Sequence, residues 1–189
     1  MMPLIIPGVS VQERRHSRVL QQPLASPRSG VMVHYDDSTR DDWAVAWFFD
    51  PRCTNGYTWL VLDDGRVIEL ADPAMRTPHA GPCVTKNANS AYYGIAAATD
   101  GRTMATAAQV ATIVECAAAV FTYHKWTGAS ADRRVVGHDA QAVWTPAYTA
   151  TKALWGTLGR KVDPTGTRSD RVPIIDIHTV RQDVARRIG

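Results

Sequence analysis

The stretch Val31-Met32-Val33-His34 runs three apolar residues directly into a histidine. Such a run predicts a buried core strand, and it places the imidazole at the end of that strand. The stretch Arg134-Val135-Val136-Gly137-His138 repeats the pattern farther along the chain. In both stretches the histidine lies where a strand passes into a loop, and functional groups collect at such positions.

A third segment, Arg160-Lys161-Val162-Asp163-Pro164, offers a carboxylate just before a proline that fixes the local turn. His34, His138 and Asp163 would supply two imidazoles and one carboxylate, a set that suits a catalytic zinc ion with one open position. A lone histidine is nevertheless more often structural or exposed than a ligand. The distance between the two histidines along the chain carries no spacing signal, so the residues alone leave both interpretations open.

Composition narrows the class of protein. The 189 residues are 45% hydrophobic and 21% charged, which is typical of one globular domain with a sizeable core. The formal net charge is only +3 and no basic run occurs, so nucleic acid is not expected as a partner. The six tryptophans could line a carbohydrate or peptide cleft or simply fill a core. No stretch approaches the roughly 20 apolar residues of a membrane span.

Cysteine usage and the first residues bear on where the chain is made. Three widely spaced cysteines, Cys53, Cys83 and Cys116, fit reduced thiols better than a disulfide framework. The start of the chain lacks a basic segment, and prolines interrupt its short apolar stretch, so no signal peptide is predicted. We therefore expect synthesis in the cytoplasm without a signal peptide.

Sequence patterns predict a single α/β domain, with a central mixed sheet flanked by helices. Residues 1–30 are expected to be irregular, wrapping the surface or pairing loosely at a sheet edge, and residues 31–189 to form the domain itself. Asp63-Asp64-Gly65 predicts a hairpin turn. Thr106 with Gln109 predicts a capping box, and one face of the helix that it opens is expected to be apolar, with Val110, Ile113, Val114, Ala117 and Phe121. Predicted strands cover residues 31–34, 56–62, 66–70, 92–98 and 134–137, and predicted helices residues 41–49, 107–125, 149–157 and 177–188.

The first predicted helix follows the His34 strand closely. Thr39 is expected to cap it, and two aspartates suit its positive end. Its large apolar side chains, Trp43, Trp47 and Phe48, are expected to face inward.

Six segments occur in a characteristic order. They are the His34 strand, residues 56–65, His79-Ala80-Gly81, residues 89–95, Val136-Gly137-His138 and residues 159–164. In this order they resemble the type 2 N-acetylmuramoyl-L-alanine amidases, which include bacteriophage endolysins and share a fold with peptidoglycan-recognition proteins. Each motif is weak alone, whereas the ordered set is fairly specific. The resemblance covers about residues 30–188.

The resemblance implies a zinc-dependent hydrolase that cuts the amide bond between N-acetylmuramic acid and L-alanine in peptidoglycan. Residue by residue, it implies that His34, His138 and Asp163 bind Zn²⁺. Residues 31–189 would then be the catalytic domain, peptidoglycan the partner, and the chain a monomer. A phage-type endolysin of this kind would act on the cell wall after a holin releases it.

Three further residues acquire roles through the same resemblance. Tyr57, on a strand expected beside the His34 strand, would help to stabilise the transition state, and Lys161 would hold the developing oxyanion. His79 would lie beside the substrate. From the residues alone, Tyr57 could equally be a packing residue and Lys161 a solvated charge.

The chain departs from the family pattern in ways that keep alternatives open. Where recycling members carry a catalytic glutamate, this chain has Ala96-Ala97-Ala98, which favours a phage-like enzyme over a cytosolic muropeptide-recycling amidase. The segment between His138 and Asp163 is longer than in compact members. A non-catalytic peptidoglycan-binding protein of the same fold is the other alternative, although all three candidate ligands are present.

Paired carboxylates raise a different possibility. Asp36-Asp37 and Asp63-Asp64 could suggest glycosidase chemistry. Turn geometry explains the second pair better. The first pair lies where a loop leaves the His34 strand and is expected to be solvated, so a glycosidase is not favoured.

Overall fold

The structure, a computed structural model, describes residues 4–15, 22–80, 83–141 and 173–189. Its strands are β1 (Val11–Glu13), β2 (Gly30–Tyr35), β3 (Trp59–Val61), β4 (Val67–Glu69), β5 (Tyr92–Ala97) and β6 (Val135–Gly137). They form one sheet in the order β1-β4-β3-β5-β2-β6. Only β3 and β4 pair antiparallel within this sheet, and the other neighbours are parallel. The predicted mixed sheet is therefore confirmed.

The helices lie on both faces of this sheet. They are α1 (Asp41–Phe48), α2 (Ala88–Ala91), α3 (Ala107–His124), α4 (Ala131–Arg134), α5 (His138–Gln141) and α6 (Ile177–Ile188), with a 3₁₀ turn at Gly128–Ser130. The predicted helix at 149–157 lies outside the described residues. Among the helices that are described, none combines the length and the apolar character needed to cross a bilayer.

One face of the sheet carries the larger core. Val31, Val33 and Ile95 point to this face and pack against α3 and α6, which contribute Phe121 and Val184 among their buried side chains. Because alternate strand residues point to opposite faces, the intervening residues of β2 face the other way. That second face is covered by α1 and by the segment that carries α2.

Several local predictions are confirmed because strong short-range signals determine them. Leu62 and Arg66 close the β3–β4 hairpin through a backbone hydrogen bond of 2.9 Å, and Gly65 has a φ of 85° that suits glycine. Thr106 and Gln109 form the predicted capping box at the start of α3. The stripe of α3 predicted to be apolar is buried, apart from Val110, which is only partly so.

The prediction for α1 is wrong in two respects. Arg40, not Thr39, is the N-cap residue, and its side chain makes no capping hydrogen bond. Trp43 and Trp47 do not face inward but are 58% and 42% exposed. The buried stripe of this short helix consists of Ala44 and Phe48, so Phe48 alone of the three large residues behaves as expected.

The segment expected to be irregular contains a short strand. Strand β1 pairs in parallel with β4 at the sheet edge, which agrees with loose pairing at an edge and not with a wholly irregular segment. Its side chains are exposed and lack an alternating pattern. Cys53, Cys83 and Cys116 are all reduced cysteines outside any disulfide, as predicted.

Candidate active site

His34 and His138 lie side by side at the carboxyl ends of two adjacent parallel strands. Gly137 is paired with Val33 in the register of β6 and β2, so the next residue of each strand is a histidine. Both side chains are buried, and their Nδ1 atoms are 3.1 Å apart. Ligands of open α/β sheets bind outside the carboxyl ends of strands. The structure therefore brings the two sequence-predicted histidines together at the expected edge.

His79 joins this pair and completes a chain of hydrogen bonds. Its Nδ1 is 3.0 Å from Nε2 of His34, and its Nε2 is 3.1 Å from the carbonyl oxygen of Tyr92. A carbonyl can only accept, so His79 Nε2 carries the proton and His79 Nδ1 accepts from His34 Nε2. The network thus assigns neutral His34 the tautomer whose Nδ1 lone pair faces His138.

Burial keeps His79 neutral. Desolvation is the main cause that lowers the pKa of His79 well below its usual range, and the neighbouring His34 and His138 lower it further. Gly94 provides the room for this ring, because a Cβ there would lie 2.7 Å from His79 Cγ. A glycine within a strand often marks such a close approach. This signal at Gly94 could have revealed the contact before the structure was known.

The geometry of His79 differs from what its expected role requires. The side chain is only 6% exposed, and both ring nitrogens have partners within the protein. Contact with the substrate therefore remains a prediction for His79. Its observed partner is His34, and a histidine that orients another in this way is common around metal ligands.

Tyr57 also lies close to His34, although by a different route from the one predicted. It precedes β3, and β3 pairs with β5 and not with the His34 strand, so the expectation of neighbouring strands is wrong. The Tyr57 side chain nevertheless reaches across β5 to His34, and the two ring centroids are 4.9 Å apart. Its hydroxyl donates to the carbonyl oxygen of Tyr35 at 3.4 Å.

Asp36 is not solvated, contrary to expectation. Its Oδ1 accepts hydrogen bonds from the backbone N–H groups of Ser38 and Thr99, at 3.2 and 3.0 Å. Burial is the largest influence and raises the pKa of the carboxyl to about 6. The loop after β2 folds back on the loop after β5, and this pairing removes the carboxylate from water. These bonds give Asp36 a structural role in holding the loop that leaves the site.

Ala96 is one of the three alanines that stand where the family resemblance places a recycling glutamate. It is paired with His34 in the register of β5 and β2 and is fully buried. Lys161 and Asp163, the other predicted site residues, lie outside the described residues. Within 4–15, 22–80, 83–141 and 173–189, no group of three or more His, Cys, Asp or Glu side chains is arranged to hold a metal ion.

The arrangement of the histidines determines what the site can do. Two imidazole nitrogens that face each other at 3.1 Å must share either a proton or a cation. The hydrogen bonds through His79 already leave a lone pair on Nδ1 of neutral His34. A buried edge of this kind suits hydrolysis by a bound metal ion better than glycosidase chemistry, which needs two carboxyl groups flanking the scissile bond.

Comparison with known proteins identifies the family. The sequence profile described as N-acetylmuramoyl-L-alanine amidase matches residues 24–166, a range that contains His34, Tyr57, His79 and His138. The chain belongs to the N-acetylmuramoyl-L-alanine amidase family. This N-acetylmuramoyl-L-alanine amidase is therefore an enzyme that acts on peptidoglycan. No curated protein sequence matches it significantly.

Solved structures show the same fold as this amidase. The hydrolase AmiA of Staphylococcus aureus, solved with its ligand, is 16% identical with a TM-score of 0.62, and the match covers 95% of this chain and 83% of that one. A selenomethionine derivative of AmpD is 17% identical with a TM-score of 0.59, covering 75% and 88%. A mutant endolysin from Bacillus subtilis is 17% identical with a TM-score of 0.55, covering 69% and 84%.

Proposed function

We propose that this amidase is zinc-dependent and cuts the bond between the lactyl group of N-acetylmuramic acid and L-alanine, as a phage-type endolysin. The observation that carries the proposal is the buried pair of Nδ1 atoms of His34 and His138, 3.1 Å apart at the carboxyl ends of two parallel strands. The family supplies the substrate class, and this pair supplies a place for the metal.

The described residues fit a zinc ion. With Zn–N bonds of about 2.0–2.1 Å, two ligands of a tetrahedral site lie roughly 3.3 Å apart, close to the observed separation of His34 Nδ1 and His138 Nδ1. The hydrogen bond from His34 Nε2 to His79 leaves the lone pair of neutral His34 on Nδ1. A histidine needs such a lone pair to bind a metal ion. Asp163 would be the third protein ligand, which leaves one position open.

Zinc bound there would polarise the scissile carbonyl and activate water at neutral pH. Side chains of the enzyme would stabilise the charge that develops on the substrate and orient the metal ligand. Tyr57, beside His34, would donate a hydrogen bond to the carbonyl oxygen as negative charge develops on it. Lys161 would stabilise the same charge by its ammonium group. His79 would act through His34, by holding that ring in one tautomer and one orientation.

Two observations bear on the alternatives. A non-catalytic binding protein would be free to lose a ligand, yet His34 and His138 are both present and their Nδ1 atoms face each other. A recycling enzyme would need its glutamate near the site, and Ala96 occupies the position beside His34. These observations favour the endolysin, which would be made in the cytoplasm and would act on the wall after release by a holin.

Digestion of purified peptidoglycan tests this proposal. Mass spectrometry of the products should find stem peptides with new free L-alanine amino termini, and a chelator should abolish their release. New reducing sugar ends would instead indicate a glycosidase. Cleavage that continues at full rate in chelator would refute zinc dependence while leaving the bond assignment intact.

A further inference from the structure

Helix α1 lies at the border of the histidine site. Its buried residues Ala44 and Phe48 pack on the sheet face that carries His34. The Phe48 ring contacts that of Tyr57 at a centroid distance of 5.5 Å, and Tyr57 in turn contacts His34 at 4.9 Å. One aromatic ring therefore separates this helix from the proposed metal ligand.

The two flanks of α1 face opposite directions along the sheet. On one flank, Asp41 accepts from the backbone N–H of Asp63 in the β3–β4 turn. On the same flank, the Arg14 guanidinium lies 5.2 Å over the ring of Phe49, and Arg14 extends β1 through a backbone bond to Glu69. This flank therefore faces β4 and β1.

Trp43 and Trp47 occupy the other flank. At about 100° per residue, both lie on the opposite side of the buried stripe from Asp41 and Phe49. The sheet order places β5, β2 and β6 on that side. The two rings are neighbours at the i, i+4 spacing, and they stay 58% and 42% exposed. They form an aromatic pair that borders the site on the histidine side.

We propose that Trp43 and Trp47 form a stacking surface for the sugar rings of the peptidoglycan glycan strand. This inference rests on the proposed function, in which the scissile bond joins the stem peptide directly to a muramyl sugar. When the scissile bond is bound next to His34 and His138, the attached glycan strand must run along the surface that borders these histidines. Pyranose rings present faces of C–H groups, and exposed indole rings are the side chains that stack on such faces.

Charge near the helix favours a neutral glycan over an anionic membrane surface. Carboxylates outnumber guanidinium groups on and around α1. The carboxylates belong to Asp37, Asp41, Asp42 and Asp50, and the guanidinium groups to Arg14, Arg40 and Arg52. Arg40 is paired with Asp42 at 2.6 Å and lies 5.2 Å over the ring of Trp43, so it covers one face of that ring. An anionic lipid headgroup would meet mainly like charge here.

The test measures binding of glycan strands from which all stem peptides have been removed. Such strands contain no bond that the enzyme cuts, so the measurement does not depend on catalysis. Calorimetry should show Trp43→Ala and Trp47→Ala each weakening binding by about 3- to 10-fold. Trp43→Phe and Trp47→Phe, which keep an aromatic face, should restore most of the affinity.

A matched control is Tyr123→Ala, which removes an exposed aromatic ring from α3 on the opposite sheet face and should leave glycan affinity unchanged. Wild-type affinity in the Trp43→Ala/Trp47→Ala double variant would overturn the proposal. Loss of binding to phosphatidylglycerol vesicles without loss of glycan binding would also overturn it, by assigning the surface to a membrane. If peptidoglycan digestion fails while glycan binding depends on both tryptophans, only the proposed hydrolytic function is refuted.

Discussion

Two histidine-containing clusters lie on opposite faces of the sheet, and they differ in what their histidines contact. On the α3 face, His124 accepts from or donates to the Tyr93 hydroxyl at 2.9 Å, and Arg28 lies 4.1 Å over the Tyr93 ring. The terminal nitrogens of Arg28 donate to four backbone carbonyls between 2.5 and 3.1 Å. The Tyr93 hydroxyl and the terminal nitrogens of Arg28 therefore have hydrogen-bond partners within the protein.

The cluster of His34, His79 and His138 is different. Nδ1 of His34 and Nδ1 of His138 face each other at 3.1 Å, and the hydrogen-bond chain from the Tyr92 carbonyl leaves the lone pair of neutral His34 on Nδ1. The comparison shows that a hydrogen-bonded histidine packed against the sheet does not by itself indicate a site. The distinction is that His34 and His138 bring two imidazole nitrogens face to face at the carboxyl ends of parallel strands, whereas His124 contacts a tyrosine hydroxyl.

The largest expected effect separates the two clusters by activity. His34→Ala removes a proposed zinc ligand, so turnover of peptidoglycan should fall by about 1000-fold or more. His124→Ala, from the other cluster, should keep turnover within about threefold once the folded fraction is corrected for, since it touches no part of the site. If a turbidity assay of cell-wall lysis showed equal losses of turnover for both variants, the two clusters would not differ in their role in catalysis.

The next effect concerns the hydroxyl beside His34. Tyr57→Phe keeps the ring contacts but removes the hydrogen-bond donor, so turnover should fall by roughly 10- to 1000-fold. The loss of one bond to the Tyr35 carbonyl should change the free energy of unfolding by less than about 1.5 kcal/mol. If denaturant titration and turnover both match the wild type, Tyr57 only packs against His34.

Arg28 belongs to the cluster on the α3 face, so its substitution should affect stability and not turnover. Arg28→Met would leave the backbone carbonyls of Pro73, Met75 and Ser90 without this donor and would remove one of the two donors to the Tyr92 carbonyl. The free energy of unfolding should therefore fall by about 3 kcal/mol. Turnover per folded molecule should be retained. Arg28→Lys keeps the charge without the planar fork and should recover only part of the stability. A stable Arg28→Met variant in urea titration would contradict this role.

The smallest expected effect is a pH dependence of stability. Burial, followed by the charges of Arg28 and Arg134, lowers the pKa of His124. The unfolded chain therefore takes up a proton first as pH falls, so the contribution of His124 is present above its unfolded pKa and is lost below it. His124→Gln should lose less stability than the wild type between pH 7 and pH 5, because it has no imidazole to take up a proton on unfolding. Parallel stability curves for the two proteins would exclude this effect.

Sequence signals predicted the parts of the fold that local patterns determine. The capping box of Thr106 and the long apolar stripe fix α3, and Asp63-Asp64-Gly65 fixes the hairpin. Both strand-terminal histidines were predicted because a buried run of apolar residues orients the residue that follows it. These features depend on near neighbours in the chain, which the sequence contains directly.

Long-range packing explains what the sequence could not predict. In the short helix α1 two apolar stripes compete, and the contacts of Ala44 and Phe48 with the sheet decide which one is buried. Strand β1 has no alternating pattern because only its backbone pairs with the sheet. The contact of His79 with His34 joins residues from distant segments, and Gly94 was its only local signal.

Zinc content tests the central claim most directly. Elemental analysis of the full chain, purified without chelator, should find about one zinc ion per molecule. The matched His138→Ala protein should contain almost none while its circular dichroism remains that of the wild type, because a core on both sheet faces does not depend on a catalytic metal. Full zinc occupancy in folded His138→Ala protein would contradict the assignment of this site.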